Sequence, residues 1–147
     1  MIAWDRNAER VGDLERRGAE PAQTPGDGVH GAEIVVTMLP TAEVILDLAE
    51  PLLNEWPPDT VWLQMSSVGG AEADQLTQAA TAHEVTLVDA PVSGSSHPAQ
   101  EGQLTILASG PHSSRTTVQP VADALASRVL WVGAAGMGSR LKLAATG

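Results

Sequence analysis

From residue 33 to residue 133, short runs of β-branched and aliphatic residues alternate with longer stretches of helical spacing. The runs "EIVVTML", "TVWLQM", "VTLVDAPV", "QLTILASG" and "RVLWVG" are too continuously apolar for strands with one wet face. Strands of this kind are buried on both sides and form a parallel sheet with helices on each face. The covering helices lie between them. "TAEVILDLAEPLL" spaces Val44, Ile45, Leu48 and Leu52 along one side, with Thr41 as its cap and Pro51 as a late disturbance. "AEADQLTQAATAH" and "SSRTTVQPVADALAS" supply two more. Upstream, "MIAW" reads as a strand ending at Asp5, and Asn7 caps a helix over "AERVGDLERRG" that Gly18 stops. The expected class is therefore α/β, and "GAAGMG" opens a last helix.

Composition narrows the function. A net charge of −10 with no basic cluster argues against a nucleic-acid partner. No apolar run approaches the roughly 20 residues that a membrane span needs. There is no cysteine, which excludes disulfides, thiolate metal sites and Cys nucleophiles. His30, His83 and His112 lack metal-ligand spacing, so no metal is expected. No basic-then-apolar leader opens the sequence, and the expectation is a cytoplasmic protein. Trp4, Trp56, Trp62 and Trp131 each sit in or beside an apolar run and read as core or helix-cover packing.

Ligands of parallel α/β sheets bind beyond the carboxyl ends of the strands. Those ends read Asp5-Arg6, Leu39-Pro40-Thr41, Ser66-Ser67, Pro91-Val92-Ser93-Gly94 and Gly133 to Gly138. Asp5 has two readings: a turn residue, or the acid that holds an adenosine ribose about 20 residues beyond a glycine fingerprint. That count runs off the front of this sequence. The bend "GAAGMGSRL" is not the fingerprint, because Leu141 stands where a third small residue belongs and no strand follows with a ribose-binding acid. Lys142 is the sole lysine among eight formal cations. Gly138, Lys142 and Thr146 share a helix face, with the glycine expected to clear space beside the lysine head. An ammonium can give and recover a proton where a guanidinium cannot, although a solvated helix lysine satisfies the same spacing. The small residues from Ser93 to Ser96 leave backbone N–H groups able to converge on an anion such as a carboxylate.

The segment "DAPVSGSSHPAQEGQLTILASG" resembles the substrate-binding segment of the β-hydroxyacid dehydrogenases. "WDRNAERV", "VVTMLP", "MSSV" and "GMGSRLKL" fall in that family's order, so the resemblance spans essentially the whole chain. It implies a Rossmann-type dinucleotide-binding domain and an NAD(P)-dependent oxidoreductase acting on a short hydroxy acid or semialdehyde. By the resemblance, Asp5 holds the adenosine ribose and favours NAD, while Arg6 leaves NADP open. Met38, Leu39, Pro40 and Val44 line the cofactor, and Ser67 sits by the nicotinamide. Ser93, Gly94 and Ser95 bind substrate with Thr146, and Lys142 is the acid/base.

Departures accompany the likeness. Thr146 stands where the family usually has an asparagine, and its hydroxyl is shorter with one donor instead of two. Ser95 and Pro98 replace glycines of the substrate loop, as in the glyoxylate/succinic semialdehyde reductase-like branch, which points to a short semialdehyde. His97 in that loop reads as a surface histidine. Residues 1–133 are expected to be an incomplete dinucleotide-binding domain without its first strand and phosphate loop, and 134–147 the start of an inter-domain helix. The helical second domain is expected to lie outside this sequence, and a full-length form is expected to be a homodimer or tetramer. Two rival readings are a non-catalytic module that pairs through an exposed strand edge and a generic α/β nucleotide binder.

Overall fold

The computed structural model describes residues 1–93 and 101–146, apart from the side chain of Thr146. Its centre is strand β4, Val61–Gln64, whose four residues are all buried. Alternation sends Trp62 into one apolar cluster and Val61 and Leu63 into another. On one side lie β3 (Ile34–Thr37), and on the other β5 (Thr86–Asp89), both parallel to β4 and in register from Ile34↔Val61 and Val61↔Thr86. The first cluster takes Ala42, Ile45 and Ala49 of helix α3 (Ala42–Ala49) and Ala73, Leu76 and Ala80 of helix α4 (Gly70–Ala82). The second takes Leu104, Ile106 and Ala108 of β7 (Leu104–Ala108) and Val118 and Ala122 of helix α5 (Arg115–Leu125).

The remaining elements complete the α/β pattern. β1 (Ile2–Ala3) leads through α1 (Ala8–Glu15) to β2 (Glu20–Pro21), its parallel neighbour. Helix α2, Pro25–Val29, was not expected from "PGDGV"; Thr24 accepts from Asp27 N at 3.1 Å and Val29 is buried against the first cluster. The helix starting at Ala42 is shorter than its periodicity suggests. From Glu50 to Glu55 it tightens into 3₁₀ form, where Pro51 brings no N–H. β8 (Ala126–Trp131) runs parallel to β7, and α6 (Met137–Thr146) ends the described chain. Among the described residues no helix is long and apolar enough to cross a membrane.

Two expectations need correction. "VTLVDAPV" is not one strand, and the pairing is not wholly parallel. β5 stops at Asp89, whose N–H and C=O bridge to Ser109 at 2.9 and 2.7 Å. The chain then resumes as β6 (Val92–Ser93), antiparallel to β7. Pro91 lies at the change of direction with no donor to offer, and its carbonyl accepts from Leu107 N at 3.0 Å.

Trp62 is fully buried, meets Trp56 edge-on with centroids 5.6 Å apart, and donates from Nε1 to Thr37 Oγ1 at 2.9 Å. Trp62→Phe keeps a ring but strands that acceptor. It is expected to lower unfolding free energy by about 1–3 kcal/mol in urea titration, with the far-UV spectrum unchanged. An unchanged midpoint would show that the indole donor contributes nothing.

Candidate active site

A buried hydrogen-bond network locks the carboxyl ends of β3 and β4 together. Gln64, buried in the sheet, accepts from the Thr37 hydroxyl (3.2 Å) and the Ser66 N–H (2.9 Å), and donates to the Ser66 carbonyl (3.2 Å). The Ser66 hydroxyl accepts from Leu39 N at 2.7 Å and points toward the Thr37 carbonyl at 3.4 Å. A buried polar network with its groups paired fixes one geometry. Here it holds the Met38-Leu39-Pro40 turn against the Ser66-Ser67 turn. Gln64 and Thr37 were missed as site-shaping residues, because a polar residue inside an apolar run shows its partners only once the strands pair.

Beyond that lock, Ser67 is exposed at the end of β4, and Lys142 reaches it from α6, its Nζ donating to the Ser67 Oγ. The lysine is half-buried. Its reach is set by α6, which begins at the bend after β8, where Gly136 adopts φ +102. Gly138 does not serve the lysine head as expected. A Cβ on it would overlap the Leu107 carbonyl oxygen and lie 3.1 Å from that of Asp89, so the missing side chain lets α6 approach the strand ends.

Asp5, Met38 and Leu39 line a second feature, a cleft of about 530 Å³ between β1 and β3. Apolar side chains of Met1, Ile2, Leu14, Val36 and Met38 are exposed along it. The Asp5 carboxylate accepts from Asn7 N at 2.7 Å and lies 3.9 Å from the Arg10 guanidinium, which leaves it as a partly exposed acceptor at the cleft wall. Arg6 and Pro40 are exposed. Thr41 caps α3 by accepting from Val44 N at 3.2 Å, and Val44 is half-buried in that first turn. Ser93 is an exposed residue of β6, paired with Thr105. Gly94, Ser95, His97 and Pro98 lie outside the described residues, as does the Thr146 side chain. The described residues hold no group of three or more His, Cys, Asp or Glu that could bind a metal ion.

Residues 1–133 match the family model described as the NAD binding domain of 6-phosphogluconate dehydrogenase. The 3-sulfolactaldehyde reductase of Escherichia coli (strain K12) is 30% identical over 146 residues, covering 97% of this chain and 49% of that protein. Glyoxylate/succinic semialdehyde reductase 1 of Arabidopsis thaliana is 29% identical over 147 residues, covering 97% and 50%. The structure of Mycobacterium tuberculosis 3-hydroxyisobutyrate dehydrogenase with L-serine superposes with a TM-score of 0.92 at 27% identity, over 96% of this chain and 48% of that one. The chain thus spans about half the length of the curated relatives it matches.

Gly138→Ala tests the close approach of α6. Forcing a methyl against the Leu107 carbonyl is expected to cost about 3 kcal/mol in chemical denaturation. A wild-type midpoint would mean that α6 does not lie against the ends of β5 and β7.

Proposed function

Because the chain belongs to the family of the NAD binding domain of 6-phosphogluconate dehydrogenase, we propose that it is the dinucleotide-binding part of an NAD(P)-dependent oxidoreductase acting on a short hydroxy acid or semialdehyde. In this reading residues 1–133 form the cofactor domain, 134–147 begin an inter-domain helix, and the full-length form is a homodimer or tetramer. The observation that carries it is the amine of Lys142 donating to Ser67 at the strand ends. A nicotinamide cofactor, when bound, supplies or removes the hydride. Lys142 handles the accompanying proton: its ammonium gives one to the carbonyl oxygen, so that C=O becomes CH–OH and the amine is left neutral. In the reverse direction the neutral amine takes the hydroxyl proton. Ser67 Oγ holds Nζ beside the reacting oxygen, and the Ser93–Gly94–Ser95 segment with Thr146 grips the substrate carboxylate.

The residues present suit the two ends of such a cofactor better than its middle. Asp5 offers a carboxylate acceptor for ribose hydroxyls, favouring NAD, with Arg6 beside it as a cation for a 2′-phosphate. Met38, Leu39, Pro40 and Val44 give an apolar wall. The glycine bend before α6 cannot cradle the diphosphate, because Gly138 N already donates to Ser109 Oγ at 2.9 Å and Ser139 N to Asp89 at 2.8 Å. The isolated chain is therefore expected to turn over little or no substrate.

The test uses the chain completed with the segments its relatives carry. Lys142→Arg is expected to lower turnover by about 10²–10⁴-fold while cofactor affinity stays within about twofold. Turnover retained by the arginine variant would contradict the reading, and measurable turnover by the 147-residue chain alone would contradict the expected inactivity of the isolated chain.

A second reading, association through strand edges, is favoured by the cleft itself. Met1 and Ala3 direct their carbonyls to β2, and Glu33 and Thr37 direct theirs to the β4 side. Strand alternation then turns the backbone groups of Ile2 and Trp4, and of Ile34 and Val36, toward the cleft from its two walls. Sedimentation at rising concentration decides. A monomer whose Ile2 and Val36 amides exchange rapidly argues against strand pairing, whereas self-association with protection of those amides supports it.

A further inference from the structure

Asp89 ends β5 with a side chain only 1% exposed, and the proton-transfer reading leaves it without a role. A buried carboxylate is costly unless its oxygens are satisfied. Here Oδ2 accepts from Ser139 N at 2.8 Å and Oδ1 from Ser139 Oγ at 2.7 Å. The Ser109 hydroxyl lies 3.4 Å from Oδ2 and accepts from Gly138 N at 2.9 Å. Burial still raises the Asp89 carboxyl above its ordinary range, against the opposing pull of Ser139 and Ser109. Two neighbouring strand ends, bridged to each other through Asp89 and Ser109, thus present acceptors to two successive N–H groups at the start of α6.

Two fixed N–H groups and the glycine contact set both the position of a helix and its rotation about its axis. Lys142 follows Gly138 by four residues and Ser139 by three, one turn on along the same face. A further tie on this turn, Arg140 to Asp74 of α4 at 2.8 and 3.1 Å, joins side chains 42% and 48% exposed and is expected to hold the helix only weakly.

We propose that Asp89 is a positioning residue: its buried carboxylate clamps the first turn of α6 in the one rotation that brings the Lys142 amine onto Ser67. The importance of the amine rests on the proton-transfer reading above. The clamp does not, and its test needs neither cofactor nor substrate.

Lys142 is the sole lysine, so its modification by an amine-selective acylating reagent can be followed in the 147-residue chain at one pH. Cleavage at Arg140 separates it, in the peptide from Leu141 to Gly147, from the terminal amine. Ser67→Ala is the reference for an amine released from its hydroxyl partner, and a rise of about fivefold is expected, the equivalent of one ordinary hydrogen bond. Asp89→Ala should raise the rate at least as much under conditions where its far-UV spectrum matches wild type. Asp89→Asn, whose amide can accept from Ser139 N and donate to the Ser139 hydroxyl, should stay within about twofold of wild type. A purely structural role would lower the melting temperature of Asp89→Ala and leave the Lys142 rate unchanged, and that result overturns the proposal. If Asp89→Ala does not fold, Ser109→Ala decides: it removes the Gly138 anchor, and an unchanged rate again overturns the clamp. Failure of Lys142→Arg to lower turnover would count against proton transfer alone.

Discussion

Strand β4 has no wet face, and the arrangement of the chain follows from that. Val61 and Leu63 must find apolar cover on one side and Trp62 on the other, so helices are required on both. A strand enclosed in this way must also pair along both edges, which β3 and β5 do in parallel. Parallel pairing aligns three carboxyl ends at one rim of the sheet. Chemistry-bearing residues collect at that rim because polar groups have no other outlet from so apolar a centre. Gln64, the last residue of β4, marks the transition. It is buried like its predecessors but polar, and it ties Thr37 to Ser66 where the strands open toward solvent.

Much of this was legible in the sequence where the signal was local. The β-branched runs gave β3, β4, β7 and the core of β8. Asn7 and Thr41 capped the helices that follow them, as their side-chain chemistry predicts. Other features depended on partners distant in the chain. β2 is two residues with no apolar run, visible only through its pairing with β1. "PGDGV" has poor helix propensity and is helical because Thr24 caps it and Val29 is buried. The break after Asp89 was hidden because "VTLVDAPV" is apolar on both sides of the turn, and the bridge to Ser109 becomes apparent only with the fold.

The candidate site shows the same division. Lys142 and Ser67 could each be singled out by residue type and by likeness to a family. That a helix and a strand end 75 positions apart would join them as donor and acceptor could not be read from spacing. Asp89 carried no signal of its own, since one acid at a strand end is commonplace. Its partner, Ser139, lies 50 positions away. Gly138 was noticed for the wrong reason: its missing side chain makes room for a backbone carbonyl, and the lysine benefits only through the helix that this contact seats.

One amine, that of Lys142, is held at the rim of the sheet by the hydroxyl at the end of β4. A chain with a single lysine lets this be seen directly in solution, because its ε-methylene protons give one assignable set of signals. A nuclear Overhauser cross-peak from those protons to the β protons of Ser67 is the predicted result. Lysine ε signals at the positions of an unstructured peptide, with no cross-peak to Ser67, would contradict it.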